Sequence, residues 1–512
     1  MLIKTYSSAV YGVDASTITV EINIDQGVNF YLVGLPDSAI KESQHRIVAA
    51  LKNNDFRWPG FRITVNLAPA DIRKEGSAYD LPIAVGILAA SDQAFFPDLD
   101  SFIIVGELSL DGGLMPVNGV LAIALQAKKD GYSALILPAV NAREAAIVEG
   151  IEVYAAKDLK ETVEILKDKK EFSPIKVDSS KEFQLHLENP SIDFSEVKGQ
   201  ENIKRALEIA AAGGHNVLLI GPPGAGKTML AKRMPTILPP LSLSEALETT
   251  KVHSVAGKLG KNGSIVSQRP FRSPHHSISD VALVGGGSFP QPGEISLANN
   301  GILFLDELPE FKRTVLEVMR QPMEDRKVTV SRARLSVDFP ASFMLVASMN
   351  PCPCGYYNHP NKECVCGPGM VQKYLNKISG PLLDRIDLHV EVTPVGIEEI
   401  SSKQLAEKSM VIRERVIKAR NIQNERFAQL EGIHANAQME SKQLRQVCEL
   451  SKEGMDLLRA AIEKLNLSGR AYDRILKVAR TIADLDNSKN IEPNHLAEAV
   501  QYRSLDRESW VN

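Results

Sequence analysis

Hydrophobic and polar positions alternate strictly in two early stretches. In TITVEINI (residues 17–24) Ile18, Val20, Ile22 and Ile24 share one face, and RITVNL (62–67) repeats the device with Ile63, Val65 and Leu67. A period of two predicts strands. Between them, DSAIKESQHRIVAALK (37–52) spaces its apolar residues at helical intervals behind a capping Asp-Ser, which predicts a helix. Further β and α patterns continue to about residue 165, so the first part reads as a mixed α/β domain. The periodicity is then lost in KDKKEFSPIKVDSSKEFQLHLENPS (167–191), which is charged and reads as a linker. Three apolar runs follow, at 217–220, before Asp306 and at 343–347, each predicting a strand that ends in polar residues. From about 397 to 507 no strand pattern appears, and long amphipathic runs such as 403–430 and 473–485 predict a helical C-terminal part. The expected layout is a first domain over 1–166, a linker over 167–192, a second α/β domain over 193–396 and a helical domain over 397–512.

Composition narrows the setting more than the function. The 512 residues are 44% hydrophobic and 24% charged, and 59 basic against 63 acidic side chains give a net charge of −4. Contact with nucleic acid would therefore have to come from a local patch. The N-terminus MLIKTYSSAVYGVDAS lacks the plan of a signal peptide, and apolar stretches such as 81–90 are far shorter than the roughly 20 residues that span a bilayer. The expectation is a cytoplasmic protein that does not enter the membrane.

The strongest chemical signal is HNVLLIGPPGAGKTMLAKRM. An apolar strand runs into Gly221, Pro222, Pro223, Gly224, Ala225, Gly226, Lys227, Thr228 and Met229, and then into a helix. Glycines let backbone N–H groups cradle phosphates, Lys227 neutralises the β/γ oxygens, and the Thr228 hydroxyl suits a magnesium shell. About eighty residues later GILFLDELPEF ends a second apolar strand in Asp306-Glu307, where one carboxylate can hold magnesium and the next can polarise water. A third strand ends in Ser-Met-Asn350, placing an amide where a γ-phosphate would be sensed, although taken alone the residue reads as a turn-forming Asn before Pro351. Arg385 in SGPLLDRIDL and Arg470 in LSGRAYDRIL follow in order. A guanidinium can stabilise charge on a transferring phosphoryl group, although either arginine taken singly reads as an ordinary surface or ion-paired residue.

Four of the five cysteines fall in NPCPCGYYNHPNKECVCGPG (350–369). Cys352, Cys354, Cys364 and Cys366 offer four soft ligands within fifteen residues, which suits a closed tetrahedral zinc site that would knit a loop poor in apolar residues. His359 is a substitute ligand. Four unligated thiols are the competing reading. A disulfide staple conflicts with a reducing compartment, and a nucleophile would need a partnered His and acid. Cys448 in LRQVCEL reads as a core residue.

The series GPPGAGKT, FLDELPEF, SMNPCPCG, SGPLLDRIDL and SGRAYDRILKVARTIADL resembles the YifB/ComM family of magnesium-chelatase-like AAA+ ATPases, over essentially the whole chain. The resemblance implies an ATP- and magnesium-dependent motor assembled as a ring, commonly a hexamer. Arg385 then looks like an arginine finger acting in trans, and Arg470 like a sensor-2 residue in cis. It also implies a helicase that acts on single-stranded or branched DNA and drives branch migration of DNA junctions in recombination and natural transformation, with recombination proteins as possible partners.

Two segments carry candidate DNA chemistry. VGGGSFPQPGEISLA (284–298), preceded by RPFRSPHH, has Phe289 at its tip, and KVTVSRARLSVDF (327–339) reads as a hairpin with Arg332 and Arg334 at its turn. They read equally as a solvated hairpin and a loop; the resemblance favours pore loops that grip phosphates. The first domain, through KEGSAYDLPIAVGILAA (74–90) and GELSLDGGLMPVNGVLAIALQAKKDG (106–131), resembles the Lon-protease fold, an S5 domain 2-like α+β domain. Ala78 occupies the nucleophile position of that pattern, Ser77 lies one position early, and Leu121 fills the place of the lysine. The expectation is a scaffold without peptidase activity. Two other motor classes compete with the DNA reading: a chelatase motor, whose D-x-S-x-S partner motif is absent from this chain, and a protein unfoldase.

Overall fold

The computed structural model describes residues 1–503 apart from 179–181, 183–191, 261–264, 288–289, 333–334, 360, 368, 397–398, 400–405, 431 and 466. The chain forms two compact units, one made of Met1–His186, Leu243–Ser267 and Ser331–Phe339, the other of Leu187–Ser242, Gln268–Val330 and Pro340–Asn512.

The first unit is built on β1 (Leu2–Tyr11), β2 (Asp14–Asp25), β3 (Phe30–Val33), β4 (Arg62–Ala68) and β5 (Phe102–Ile104), a small ribbon of β6 (Glu107–Leu108) and β7 (Leu114–Met115), and β8 (Ala134–Pro138) and β9 (Glu152–Ala156). Its seven-stranded mixed sheet runs β3-β4-β2-β1-β5-β8-β9. The two alternating stretches meet in register, Val20 opposite Leu67, Ile22 opposite Val65 and Ile24 opposite Ile63. Ile18, Val20, Ile22, Ile63, Val65 and Leu67 are all fully buried, as one face of an amphipathic sheet requires. The helix Asp80–Ala90 is buried at every position. It lies so close to the sheet that a Cβ on Gly86 would stand 2.2 Å from Cδ1 of Ile22. The helix expected over 37–52 forms as two, Ser38–Lys41 and Ser43–Asn53, the first capped by the Asp37 carboxylate accepting from Ile40 N.

Two distant stretches belong to this unit. In the helix Leu243–Val255, the Ser254 hydroxyl donates to the Glu144 carboxylate and its carbonyl accepts from Gly119 N. Lys251 pairs with Asp14 at 2.7 Å. From 331–339, Val337 packs against Gly12, where a Cβ would meet Val337 Cγ1 at 2.2 Å.

The second unit is organised by a five-stranded parallel sheet of β10 (Val217–Ile220), β11 (Phe271–Arg272), β14 (Ile302–Leu305), β17 (Met344–Met349) and β18 (Leu388–Glu391), in the order β11-β14-β17-β10-β18. A ribbon of β12 (Gly285–Gly286) with β13 (Gln291–Pro292) lies between β11 and β14 in sequence. Lys327–Arg332 and Leu335–Pro340, which the unit boundaries at 330 and 340 divide, are β15 and β16 of another ribbon. The inner strands β10, β14 and β17 are buried at every residue, so they read as apolar runs and not as alternating ones. The C-terminal part is helical: Ser409–Arg426, Ser441–Val447, Lys452–Leu465, Gly469–Leu485 and Pro493–Gln501. The first of these begins at Ser409, later than its pattern suggests, because Asp193 accepts from Ser409 N at 3.2 Å and the Ser409 hydroxyl accepts from Phe194 N at 2.8 Å. A tertiary contact therefore supplies the helix start. Among the described residues no helix is long and apolar enough to cross a membrane.

Candidate functional site

In a parallel sheet, ligands bind beyond the carboxyl ends of the strands where the strand order reverses. Here β10 lies between β17 and β18, and the loop after it opens into the helix Lys227–Ile237. Gly224 and Gly226 take φ of 80° and 87°, a region closed to most side chains, and Gly226 sits at the helix N-terminus. Gly221 donates its N–H to Met349 O at 3.2 Å, tying the loop to the end of β17.

Lys227 is buried, and its ammonium donates to three oxygens: Gly221 O at 2.7 Å, Pro222 O at 2.9 Å and Asn350 Oδ1 at 3.1 Å. Burial pushes its pKa down, opposed by the nearby charges of Asp306 and Glu307. Thr228 Oγ1 donates to Asp306 Oδ2 at 2.8 Å, while Ser348 Oγ and Glu307 N both donate to Asp306 Oδ1, the latter at 3.1 Å. The Asp306 carboxylate is thus fixed from three sides at the end of β14. Hard oxygen donors from Thr228 and Asp306 suit magnesium.

Glu307 adopts a left-handed backbone, φ 56° and ψ 50°, and its carboxylate is exposed. A non-glycine residue held there stores strain of about 1–3 kcal/mol, of the kind that aims functional side chains. His276 Nδ1 lies 3.7 Å from that carboxylate. Glu307 and Asn350 border a cavity of about 460 Å³ together with Glu310, Pro353, Tyr374 and Lys377. Burial raises the Tyr374 phenol above its usual range, assisted by the charge of Glu310 and opposed by a hydrogen bond from the Asn350 backbone.

Lys227, Thr228, Asp306, Glu307 and Asn350 therefore converge, as the sequence motifs suggest. Arg385 does not join them in this chain: it is buried, donating to Pro381 O at 2.7 Å and pairing with Glu324 at 2.7 Å. Arg470 is exposed in the first turn of the helix Gly469–Leu485. One turn further on, Arg474 pairs with the buried Asp387 at 3.0 Å.

The four thiols do converge. The sulfur atoms of Cys352, Cys354, Cys364 and Cys366 all lie within 4.8 Å of one another, with 3.3 Å between Cys352 and Cys354, 3.7 Å between Cys352 and Cys364, and 3.5 Å between Cys354 and Cys364. Four Zn–S bonds of about 2.3 Å place tetrahedral sulfurs about 3.8 Å apart, so the donor set fits zinc. His359 stays outside the group; its Nδ1 accepts from Asn361 N at 3.0 Å.

Phe289 and Arg334 lie outside the described residues, as does the side chain of Arg332 in β15. In the first unit Ser77 donates to Glu107, Lys74 is buried and donates to Pro69 O, and Leu121 is buried in the helix Val120–Lys129. Sequence reasoning left out Ser348, His276 and Tyr374. Ser348 was detectable in principle, since it precedes Asn350 by two on a strand and so shares its face. His276 carries no such signal.

A P-loop, a strand-end Asp-Glu pair and a polar residue on the strand between them define an AAA+ nucleotide site. Three families match the chain in succession: subunit ChlI of Mg-chelatase over residues 20–141, magnesium chelatase subunit ChlI over 193–400, and magnesium chelatase subunit ChlI C-terminal over 406–503. Competence protein ComM of Haemophilus influenzae is 46% identical over 507 residues, 98% of this chain and 97% of that protein. The uncharacterized protein YifB of Escherichia coli is 45% identical over 510 residues, with the same coverage. The magnesium-chelatase 38 kDa subunit of Rhodobacter capsulatus is 28% identical over 181 residues, 32% of this chain and 51% of that one. The chain belongs to the YifB/ComM family of magnesium-chelatase-like AAA+ proteins.

Proposed function

We propose that this protein is a ring-forming ATPase, commonly a hexamer, that couples ATP hydrolysis to DNA translocation or branch migration. The observation that carries the ATPase reading is the convergence of Lys227, Thr228, Asp306, Glu307 and Asn350 at the ends of adjacent parallel strands. Lys227 and the loop N–H groups bind the phosphates, and Asp306 and Thr228 hold magnesium. When bound, the ion offsets charge on the phosphate oxygens. Glu307 orients and deprotonates the attacking water, and Asn350 reports the γ-phosphate. Arg385 of a neighbouring subunit supplies the remaining positive charge, and Arg470 contacts nucleotide within the same chain. The four thiolates hold a structural zinc ion, and the first domain serves as a scaffold without peptidase activity.

DNA as substrate is supported by the family resemblance and by the competence role in the name of the Haemophilus relative. Phe289, Arg332 and Arg334 are its candidate contacts. A second reading, a chelatase-type or protein-remodelling motor acting on a protein partner, is supported by the likeness to the magnesium-chelatase subunit. Steady-state ATP hydrolysis with and without a four-way DNA junction tests both, with Glu307→Gln as the blank. Stimulation by the junction supports the DNA motor. Turnover that depends on Glu307 but ignores DNA sinks it and favours a protein substrate.

A further inference from the structure

The segment that leaves β17 touches the nucleotide loop at three separate points. Met349 O accepts from Gly221 N at 3.2 Å, Asn350 Oδ1 accepts from Lys227 Nζ at 3.1 Å, and Gly355 lies against Pro223. The last contact has no slack: a Cβ on Gly355 would stand 2.6 Å from Pro223 Cδ, and Gly355 has φ +84°. Gly355 directly follows Cys354, and its N–H donates to Cys352 O at 3.0 Å.

The loop beyond this point has almost nothing apolar to hold it. From Pro353 to Cys366, Gly355 is the one buried residue among those described, and Val365 is 83% exposed. A loop without a core keeps its shape through cross-links, and the four sulfurs are the cross-link available. Tyr357 N also donates to Cys352 Sγ at 3.3 Å, which turns the chain back over the cluster.

We infer that the four-cysteine metal site is a positioning element for the nucleotide loop, so that zinc occupancy sets nucleotide affinity. Zinc fixes Cys352 and Cys354, these fix Gly355, and Gly355 limits where Pro223 and the phosphate-binding N–H groups can lie. Loss of the metal frees the loop and makes nucleotide binding bear the cost of ordering it. The inference rests on the zinc reading of the thiols and on the nucleotide reading of the P-loop.

The test measures zinc per chain by metal analysis and affinity for a fluorescent MANT-ADP, on the full-length protein before and after the chelator TPEN, which leaves magnesium in solution. Removal of zinc is expected to raise Kd by about tenfold or more, with recovery when zinc is returned. Gly355→Ala, which keeps all four thiols, is expected to retain zinc and bind MANT-ADP several-fold more weakly. Zinc release with Kd unchanged within twofold, or a zinc-loaded Gly355→Ala of normal affinity, overturns the inference while the metal reading stands. Protein that takes up no zinc overturns the metal reading and the inference with it. Zinc-loaded protein that fails to bind MANT-ADP overturns the nucleotide reading instead.

Discussion

Asn350 Oδ1 lies 3.1 Å from Lys227 Nζ, although 123 residues separate them in the chain. The amide thus touches the ammonium proposed to bind the terminal phosphates and borders the same cavity as Glu307. Asn350→Ala is expected to lower kcat by roughly 10- to 100-fold and to change nucleotide Kd only a few-fold. Lys227→Ala should instead weaken nucleotide binding itself. Paired measurements of kcat and MANT-ADP affinity separate the two roles.

Ser348 holds Asp306 from the side opposite Thr228. Ser348→Ala leaves that carboxylate free to turn, so the magnesium concentration for half-maximal ATP hydrolysis should rise several-fold, as losses of orienting partners do. A magnesium titration of the steady-state rate is the check, and an unchanged midpoint would show that Asp306 does not depend on Ser348.

Arg385 spends its hydrogen bonds on Pro381 and Glu324 in the single chain. If it completes a neighbour's site, Arg385→Ala should abolish hydrolysis by about 100-fold or more while preserving nucleotide binding. Mixing Arg385→Ala with Lys227→Ala chains should then recover part of the rate, because some interfaces pair an intact loop with an intact arginine. No recovery on mixing argues against action in trans.

Asp387 is buried, accepts from Asn216 N at 2.9 Å, and lies 3.0 Å from Arg474 and 3.6 Å from His215. Burial raises its pKa, but the Arg474 charge, the contact to His215 and the Asn216 N–H outweigh this and hold it well below the usual carboxylate range. A depressed folded-state pKa contributes stability that is complete above the unfolded value of about 3.9 and is lost as pH falls through the folded value. Asp387→Ala should cost about 3–5 kcal/mol near neutrality, as removal of one partner of a buried pair does. Urea midpoints of the two proteins should converge as the pH drops below about 4.

The strands that lead into the P-loop site were readable because buried parallel strands are apolar runs, and glycines with positive φ must punctuate the loop that follows β10. The thiol cluster was readable because spacing and ligand chemistry are local. Other features depend on what each element packs against. The 37–52 pattern gives the buried face but not the break at Glu42, and nothing within 403–430 shows that Asp193 sets the helix start at Ser409. His276 reaches Glu307 only through the adjacency of β11 and β14. Nothing in the sequence of the helix Leu243–Val255 shows where it packs; the partners of its Ser254, Glu144 and Gly119, lie more than a hundred residues away.

That last helix makes the N-terminal unit hard to remove. A protein truncated to begin at residue 193 would keep 243–267 and 331–339 but lose Glu144, Gly119, Asp14 and Gly12, against which they are seated. Ser254 and Val337 would then face water in place of their partners. Cleavage within 172–178 would cut the backbone without dissolving those contacts, so the two fragments should co-purify. The unit of engineering is therefore the N-terminal segment together with 243–267 and 331–339, not the contiguous stretch that its linear order suggests.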